Sequence, residues 1–171
     1  MLVRFSVDSI QIEYERAVGD CFIAQFNCLQ KTNYVFERRG DPAPDWIYGD
    51  GDSRISLEIV ACYYDSDHTK VVWQNARNLP NAPTCWSGMN FDQALVHNLN
   101  TYIRAKCAKV YGSDCSLVIH IRPPLTTFKD MEGLIADVEV PAKHSFTGIY
   151  LMGDFGISAS SRVTQALWKL A

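Results

Sequence analysis

The sequence lacks a long apolar run, a secretion signal and the glycine-rich motifs of the common nucleotide-binding folds. No apolar segment reaches the roughly 18–20 residues that a membrane-spanning helix needs, and the N-terminus has no charged-then-apolar pattern. No GxxxxGK(S/T) loop is present, and no GxGxxG lies between a predicted strand and a predicted helix. We therefore expect a protein without a membrane segment, a P-loop or a dinucleotide-binding loop.

Closely spaced pairs of cysteine and histidine are also missing. The six cysteines form no CxxC pair, and the four histidines are scattered along the chain. A structural zinc site needs such pairs, so the sequence argues against one. Several cysteines lie within apolar segments, which favours free, buried thiols in the reducing cytoplasm over a disulfide framework. The cysteines are Cys21, Cys28, Cys62, Cys85, Cys107 and Cys115.

Basic residues are not in excess. Lysine and arginine number 16 against 19 acidic residues, which gives a net charge of −3 and a pI near 5.8. This balance argues against strong, nonspecific binding of nucleic acid through a basic face, although it leaves room for a local basic groove. With 47% hydrophobic and 20% charged residues, the 171-residue chain is expected to form one soluble domain over residues 1–171.

The segment 40–64 predicts two strands joined by a tight turn. Its sequence is GDPAPDWIYGDGDSRISLEIVACYY, and Gly49-Asp50-Gly51-Asp52 supplies residue types that accept the positive φ angles of hairpin turns. In the second strand the apolar residues at 55, 57 and 59 alternate with other residues, so one face of this strand is expected to pack on the core. Glu58 then belongs to the opposite face.

Asp45 and Glu58 are the first candidate functional residues. Asp45 stands at the entrance to the first strand and Glu58 inside the second, at the same end of the hairpin. A rigid hairpin that brings two carboxylates together forms an oxygen site suited to a divalent cation.

Two amphipathic helices are predicted, at 8–29 and at 91–111, each with an apolar stripe at helical spacing. Glu15 lies on the edge of the first stripe and is the acid of that helix most able to reach a site beneath it. Lys106 projects from the middle of the second stripe. An ammonium there must extend to solvent or find an anionic partner, because burying it unpaired is costly.

The remaining elements are predicted from apolar runs and turn residues. His120, inside the most apolar run, is expected to be a hydrogen-bonded interior histidine. Residues 126–139 are expected to contain a short helix, and residues 158–170 to close the fold as a helix or a pair of strands. The other predicted strands are 32–36, the central strand 117–121 and the last main strand 146–152.

The segment 65–90 is polar and rich in turn residues, and it predicts a long loop over one side of the fold. Its tryptophans, Trp73 and Trp86, are expected to anchor this loop by packing against the domain. Three residues at its start are interpreted as separately solvated rather than as a metal cluster: Asp65, Asp67 and His68.

These elements resemble the core of the PD-(D/E)xK nuclease superfamily, which has the restriction-endonuclease-like fold. The resemblance is carried by Pro44-Asp45, by the hairpin and by Leu57-Glu58-Ile59-Val60. The order helix, strand, hairpin, helix, strand, strand is also that of the family core. The resemblance implies an α/β domain with a central mixed sheet of four to five strands flanked by helices. Val60 stands where the family motif has lysine.

The resemblance also implies a site and an activity. Asp45, Glu58 and the main-chain carbonyl near Ile59 would hold Mg²⁺ or Mn²⁺ for phosphodiester hydrolysis, with DNA as the substrate. In some branches of the superfamily the catalytic lysine comes from a neighbouring helix, and Lys106 is the residue here that can take this role. Glu15 would support a second ion or orient the lysine. The arginines expected to contact the substrate backbone are Arg38, Arg39, Arg54 and Arg77.

Two other interpretations stay open. In one, the nuclease-like fold is a non-catalytic module that binds a protein partner or nucleic acid without cutting it. Val60 and the acidic balance favour this interpretation, in which Asp45 braces the hairpin and Glu58 pairs with Arg54. In the other, the chain is a different α/β domain with a small-molecule pocket. A homodimer is compatible with each interpretation.

Overall fold

The computed structural model describes residues 7–40, 43–122, 126–154 and 165–171. Within these ranges helices and strands combine in an α/β arrangement, with helices packed on both faces of one sheet. The helices are α1 (Val7–Gln30), α2 (Ser66–Ala76), α3 (Phe91–Cys107) and α4 (Phe128–Leu134), with a 3₁₀ turn at Ile135–Asp137. The strands are β1 (Val35–Arg39), β2 (Trp46–Asp50), β3 (Ser53–Cys62), β4 (Cys115–Ile121), β5 (Gly148–Asp154) and β6 (Gln165–Lys169).

The sheet is mixed, and its strands lie side by side in the order in which they occur in the chain. β1, β2 and β3 pair antiparallel, β3, β4 and β5 pair parallel, and β6 pairs antiparallel with β5. The predicted α/β class and the mixed sheet flanked by helices are confirmed. The predicted count of four to five strands is too low, because β6 adds a sixth strand at the edge. The part of 158–170 before β6 lies outside the described residues.

The predicted hairpin is confirmed, and its turn is set by one glycine. Asp50 pairs with Ser53, so Gly51 and Asp52 form a two-residue turn. Gly51 has a φ of 62°, a conformation that costs a glycine little because it has no Cβ. At the other end of the hairpin Trp46 pairs with Leu57, which brings Asp45 opposite Glu58.

β3 is buried on both faces, which differs from the predicted one-sided strand. Its residues at 55, 57 and 59 join the core beneath α1, as expected. Its residues at 60 and 62 join the core on the other face, beneath α3, and Glu58 on that same face is only 6% exposed. The reason is topological: the connection from β3 to the parallel strand β4 must cross over a face of the sheet, and it carries α3 across this one.

The predicted long loop at 65–90 is wrong for its first half, which forms α2. Asp65 is the N-cap of this helix, and its Oδ1 accepts a hydrogen bond from the His68 N–H at 2.7 Å. The helix is polar on average, and His68 is its one buried side chain. The prediction that His68 is a solvated loop residue is therefore wrong. The Asp65 cap marks the start of this helix in the sequence.

Trp86 anchors the segment that follows α2, as predicted. Its ring stacks on Tyr64, with centroids 5.0 Å apart and planes at 8°. Its indole Nε1–H donates to the Asp65 carboxylate at 3.0 Å. Asp65 thus holds both the start of α2 and the tryptophan that closes the segment.

All six cysteines are free thiols, which confirms the absence of a disulfide framework. Their predicted burial holds for Cys62, Cys107 and Cys115, whereas the other cysteines are exposed. None of the helices in the described ranges combines the length and apolar character needed to cross a membrane.

Replacing Asp65 by alanine is expected to lower the free energy of unfolding by about 1–2 kcal/mol, because the α2 cap and the Trp86 hydrogen bond are lost together. Asp67→Ala is the matched control. Asp67 lies on the same helix but is exposed, and its ion pair with Lys70 is a surface pair, so its loss should cost less than about 0.5 kcal/mol. Urea unfolding followed by tryptophan fluorescence measures both changes, and equal losses would contradict the double role of Asp65.

Candidate functional site

Asp45 stands where β2 begins, and its side chain completes the hydrogen bonding of β3. The Oδ2 atom accepts a hydrogen bond from the Ile59 N–H at 2.8 Å. Ile59 lies beyond the last residue pair of the β2–β3 ladder, so the carboxylate supplies an acceptor that the neighbouring strand does not reach. Asp45 therefore braces the open end of the hairpin and is held against the main chain that follows Glu58.

Glu58 is buried and forms an ion pair with Lys106. The Lys106 ammonium donates to Glu58 Oε1, and the lysine side chain retains 23% of its exposure. Lys106 lies three residues beyond Ile103 and seven beyond Leu99, both fully buried, so the apolar stripe of α3 directs it at the sheet. The sequence predicts that the Lys106 ammonium either extends to solvent or finds an anionic partner. The structure shows the anionic partner, Glu58.

Tyr111 is a further contact of Glu58 that the sequence analysis missed. Its hydroxyl donates to the same Oε1 at 3.1 Å. Tyr111 is held by its own N–H, which donates to Ser145 Oγ at 3.0 Å, and by ring packing on Phe146 with centroids 4.6 Å apart. The predicted helix ran to 111, but α3 ends at Cys107, and the chain then bends so that the phenol meets the sheet. Nothing in the local spacing signals this contact.

The second carboxylate oxygen of Glu58, Oε2, has a different environment from Oε1. Within the described ranges Oε2 is buried and has no hydrogen-bond partner. A buried carboxylate oxygen without a partner carries a desolvation penalty, which makes it a natural place for a cation or a donor to bind.

The electrostatics couple Asp45 to two other acids. Burial raises the pKa of Asp45 to about 6; the Ile59 hydrogen bond lowers this pKa, Glu58 and Glu15 raise it, and Lys106 lowers it again. Asp45 is therefore influenced by all three charged side chains that the sequence analysis assigned to the site.

Glu15 lies near this group but does not join its hydrogen bonds. Its carboxylate accepts from Gln11 Nε2 at 2.8 Å, one helical turn away. It also lines a cleft together with Lys106 and Val60. In the part of the chain that the structure describes, no hydrogen bond joins Glu15 to Lys106, so the predicted orienting contact is not seen.

The Glu58–Arg54 pair of the non-catalytic interpretation is wrong. Arg54 on β3 bonds to Glu37 on β1 at 2.8 Å, and Glu58 bonds to Lys106.

His120 is an interior histidine, as predicted: it is 3% exposed, and its Nδ1 lies 2.5 Å from the Tyr14 hydroxyl.

The candidate donor atoms at this site are oxygens. Among the described residues no group of three or more histidine, cysteine, aspartate or glutamate side chains is placed to hold a metal. Two carboxylates and a main-chain carbonyl are nevertheless oxygen donors of the type that Mg²⁺ and Mn²⁺ prefer, and Mg²⁺ commonly binds one or two carboxylates and keeps several waters. Glu58 Oε2 and Asp45 would be the carboxylate donors, with Ile59 supplying the carbonyl.

Comparison with known proteins gives no relative from which a role could be transferred. No protein family, no curated protein and no solved structure matches the chain.

Lys106→Met is expected to lower the free energy of unfolding by about 3 kcal/mol, because it leaves the buried Glu58 carboxylate without its cation. The double variant Glu58→Gln/Lys106→Met should recover most of this loss, since it removes both charges. Chemical denaturation of the wild type, both single variants and the double variant measures the coupling. Additive losses would show that the pair is not coupled in the folded protein.

Asp45→Asn is expected to be more stable than the wild type above about pH 6 in metal-free buffer, by about 1–2 kcal/mol. The folded pKa of about 6 exceeds the ordinary value of 3.8, so the folded protein keeps a proton that the unfolded chain has lost. Wild-type stability therefore falls as pH rises through this window and levels off above it. The asparagine can still accept the Ile59 N–H bond.

Thermal unfolding in EDTA at about pH 4 and about pH 7.5 tests this expectation. The variant should match the wild type at the lower pH and exceed it at the higher one. A constant difference at both pH values would contradict the raised pKa of Asp45.

Proposed function

We propose that the protein is a divalent-metal-dependent nuclease of the restriction-endonuclease-like type, in which the active-site lysine comes from α3. The observation that carries the proposal is the contact of Lys106 with Glu58, beside Asp45. An acidic pair and an ammonium at one point of a sheet is a set of groups that can support metal-assisted phosphodiester hydrolysis.

The order of elements supports the proposal. α1, β1, the β2–β3 hairpin, α3 and β4 follow one another as in the family core that the sequence resembles, with α2 inserted between β3 and α3. Val60 occupies the motif position of the lysine and packs in the apolar core instead. The helix lysine therefore compensates for a charge that the strand does not carry.

Each residue has a defined task under this proposal. Asp45, Glu58 and the Ile59 carbonyl would hold Mg²⁺ or Mn²⁺, which when bound lowers the pKa of its water and neutralises charge on the phosphate. Lys106 would orient the attacking water or stabilise the developing negative charge. Tyr111 and Lys106 together fix Glu58 through Oε1, which leaves Oε2 for the cation.

One observation favours the alternative of a non-catalytic binding module. Glu58 Oε1 already accepts bonds from two donors, so Lys106 and Tyr111 together satisfy one oxygen of the site without a metal. In this alternative the Glu58–Lys106 pair serves to join α3 to β3, and the protein binds nucleic acid or a protein partner without cleaving it.

Glu58→Gln is expected to abolish both Mn²⁺ binding and cleavage, because the variant removes a carboxylate ligand while it keeps the side-chain shape. Calorimetric titration of Mn²⁺ and cleavage of labelled DNA with Mg²⁺ or Mn²⁺ measure the two effects. Glu132→Gln, an exposed glutamate on α4, is the control and should leave both unchanged. Cleavage that persists in Glu58→Gln would rule out the proposal.

Lys106 provides the second arm of this test. Lys106→Met should lower the cleavage rate by about 10²-fold or more with Mn²⁺ binding retained, since the lysine acts on the reacting groups. The exposed Lys109 on the segment after α3 is the matched lysine control. Mn²⁺ binding without cleavage of any DNA by the wild type would favour the non-catalytic module instead.

A further inference from the structure

A cleft of about 420 Å³ adjoins the Asp45–Glu58 pair. α1, α2 and α3 all contribute side chains to it, and the chain segment 59–61 of β3 forms part of its lining. This segment follows Glu58 directly, and Lys106, which bonds to Glu58, also lines the cleft. A ligand in the cleft would therefore lie next to the proposed metal site.

The cleft is rich in aromatic side chains. Tyr102 is 36% exposed, so part of its ring is available to a ligand. Trp73 is half-buried and contacts Tyr14 edge to face, with centroids 5.5 Å apart and planes at 82°. Partly exposed aromatic rings fixed by neighbours are platforms on which bases stack. The aromatic residues of the lining are Tyr14, Tyr63, Trp73 and Tyr102.

Positive charge accompanies these rings on a chain that is acidic overall. Lys106 and Arg77 line the cleft against one acid, Glu15, which already accepts a bond from Gln11. A third cation, Arg122, has its guanidinium 5.8 Å from the Tyr14 ring. Because Lys106 is paired with Glu58, Arg77 and Arg122 are the cations left to meet a ligand near these rings.

Arg77 is the cation best placed to bind an anion. Its guanidinium lies 5.9 Å from the Trp73 ring, and its Nε atom is buried without a hydrogen-bond partner among the described residues. A buried N–H donor without a partner favours an incoming acceptor, and a guanidinium matches the oxygens of a phosphate. Aromatic rings and a guanidinium N–H without a partner among the described residues therefore lie in one cleft.

A second cleft continues the surface beyond the first. It has a volume of about 530 Å³ and shares Tyr63 and Tyr102 with the first cleft, so the two adjoin. Polar side chains of α3, among them His97 and Asn98, line it. A ligand that stacks on Tyr102 in the first cleft has room to continue into the second. A nucleic-acid strand would extend in this way, whereas a single nucleotide would not need the second cleft.

We propose that these clefts bind single-stranded nucleic acid, with an unpaired base on Tyr102 and Trp73 and a phosphate on Arg77. A cleft of this size is in the range that encloses a ligand as small as one nucleotide. In a duplex the base faces are stacked on one another, so only an unpaired nucleotide can offer its face to these rings. The inference that single strands are the substrate for hydrolysis rests on the proposed nuclease function. The binding of single strands does not rest on it.

The binding is tested without metal, so that cleavage does not enter the measurement. The probe is a fluorescein-labelled thymidine oligonucleotide of about 12 nucleotides, titrated with protein in EDTA and followed by anisotropy. The wild type should bind it about ten-fold more tightly than a duplex of the same length. Arg77→Ala and Tyr102→Ala should each weaken binding about ten-fold.

Matched variants separate a specific site from general charge or instability. Arg104→Ala removes an exposed arginine of α3 that contacts only Glu139 among the described residues, and it should leave the affinity nearly unchanged. Tyr102→Phe keeps the ring and should bind like the wild type. Thermal unfolding of each variant excludes loss of the fold as the cause.

Three results would overturn the proposal: a duplex bound as tightly as the single strand, wild-type affinity in both Arg77→Ala and Tyr102→Ala, or thymidine monophosphate bound as tightly as the oligonucleotide. Either of the first two, together with Glu58-dependent cleavage of DNA, would refute this site and leave the proposed nuclease standing. Single-strand binding with the expected variant effects, but without metal-dependent cleavage, would support the site and refute the nuclease.

Discussion

The ion pair between Glu58 and Lys106 is the constraint on which the rest of the site depends. Glu58 lies on a central strand with a core on both faces, where an unpaired carboxylate would carry a large desolvation penalty. Lys106 offsets this penalty only because α3 packs its apolar stripe on the same face of the sheet. The position of α3 and the burial of the Glu58 carboxylate are therefore linked, and Tyr111 adds a hydrogen bond to Glu58 from the chain beyond the helix.

The hydrogen bonding of β3 explains why the site lies at one end of the β2–β3 hairpin. β2 begins at Trp46, so the ladder leaves the Ile59 N–H for the Asp45 side chain. Where a strand stops short of its neighbour, a side chain can reach main-chain groups that would otherwise be paired. Asp45 therefore has a structural role whether or not it binds a cation. That role accounts for its position, and burial beside Glu58 and Glu15 accounts for its raised pKa.

The sequence predicts the local parts of this arrangement and misses the parts set by tertiary contacts. The hairpin follows from its turn residues, and the direction of Lys106 from the spacing of α3. α2 was missed because it is short and polar on average, a composition that is also typical of a loop. The second core beneath α3 and the contact of Tyr111 with Glu58 depend on how the crossover packs, and alternation within a single strand carries no information about this.

Charge balance at the site connects the fold to the proposed chemistry. Glu58 and Glu15 both raise the pKa of Asp45, and Lys106 both bonds to Glu58 and lowers the pKa of Asp45. With all three acids ionised, the group carries three negative charges against one positive charge, a deficit that one divalent cation would cancel. Without such an ion, a proton on Asp45 reduces the deficit below about pH 6, the value to which burial raises its pKa. Proton and cation therefore compete for the same excess charge, and under the proposed function a metal would bind by displacing the proton that burial retains.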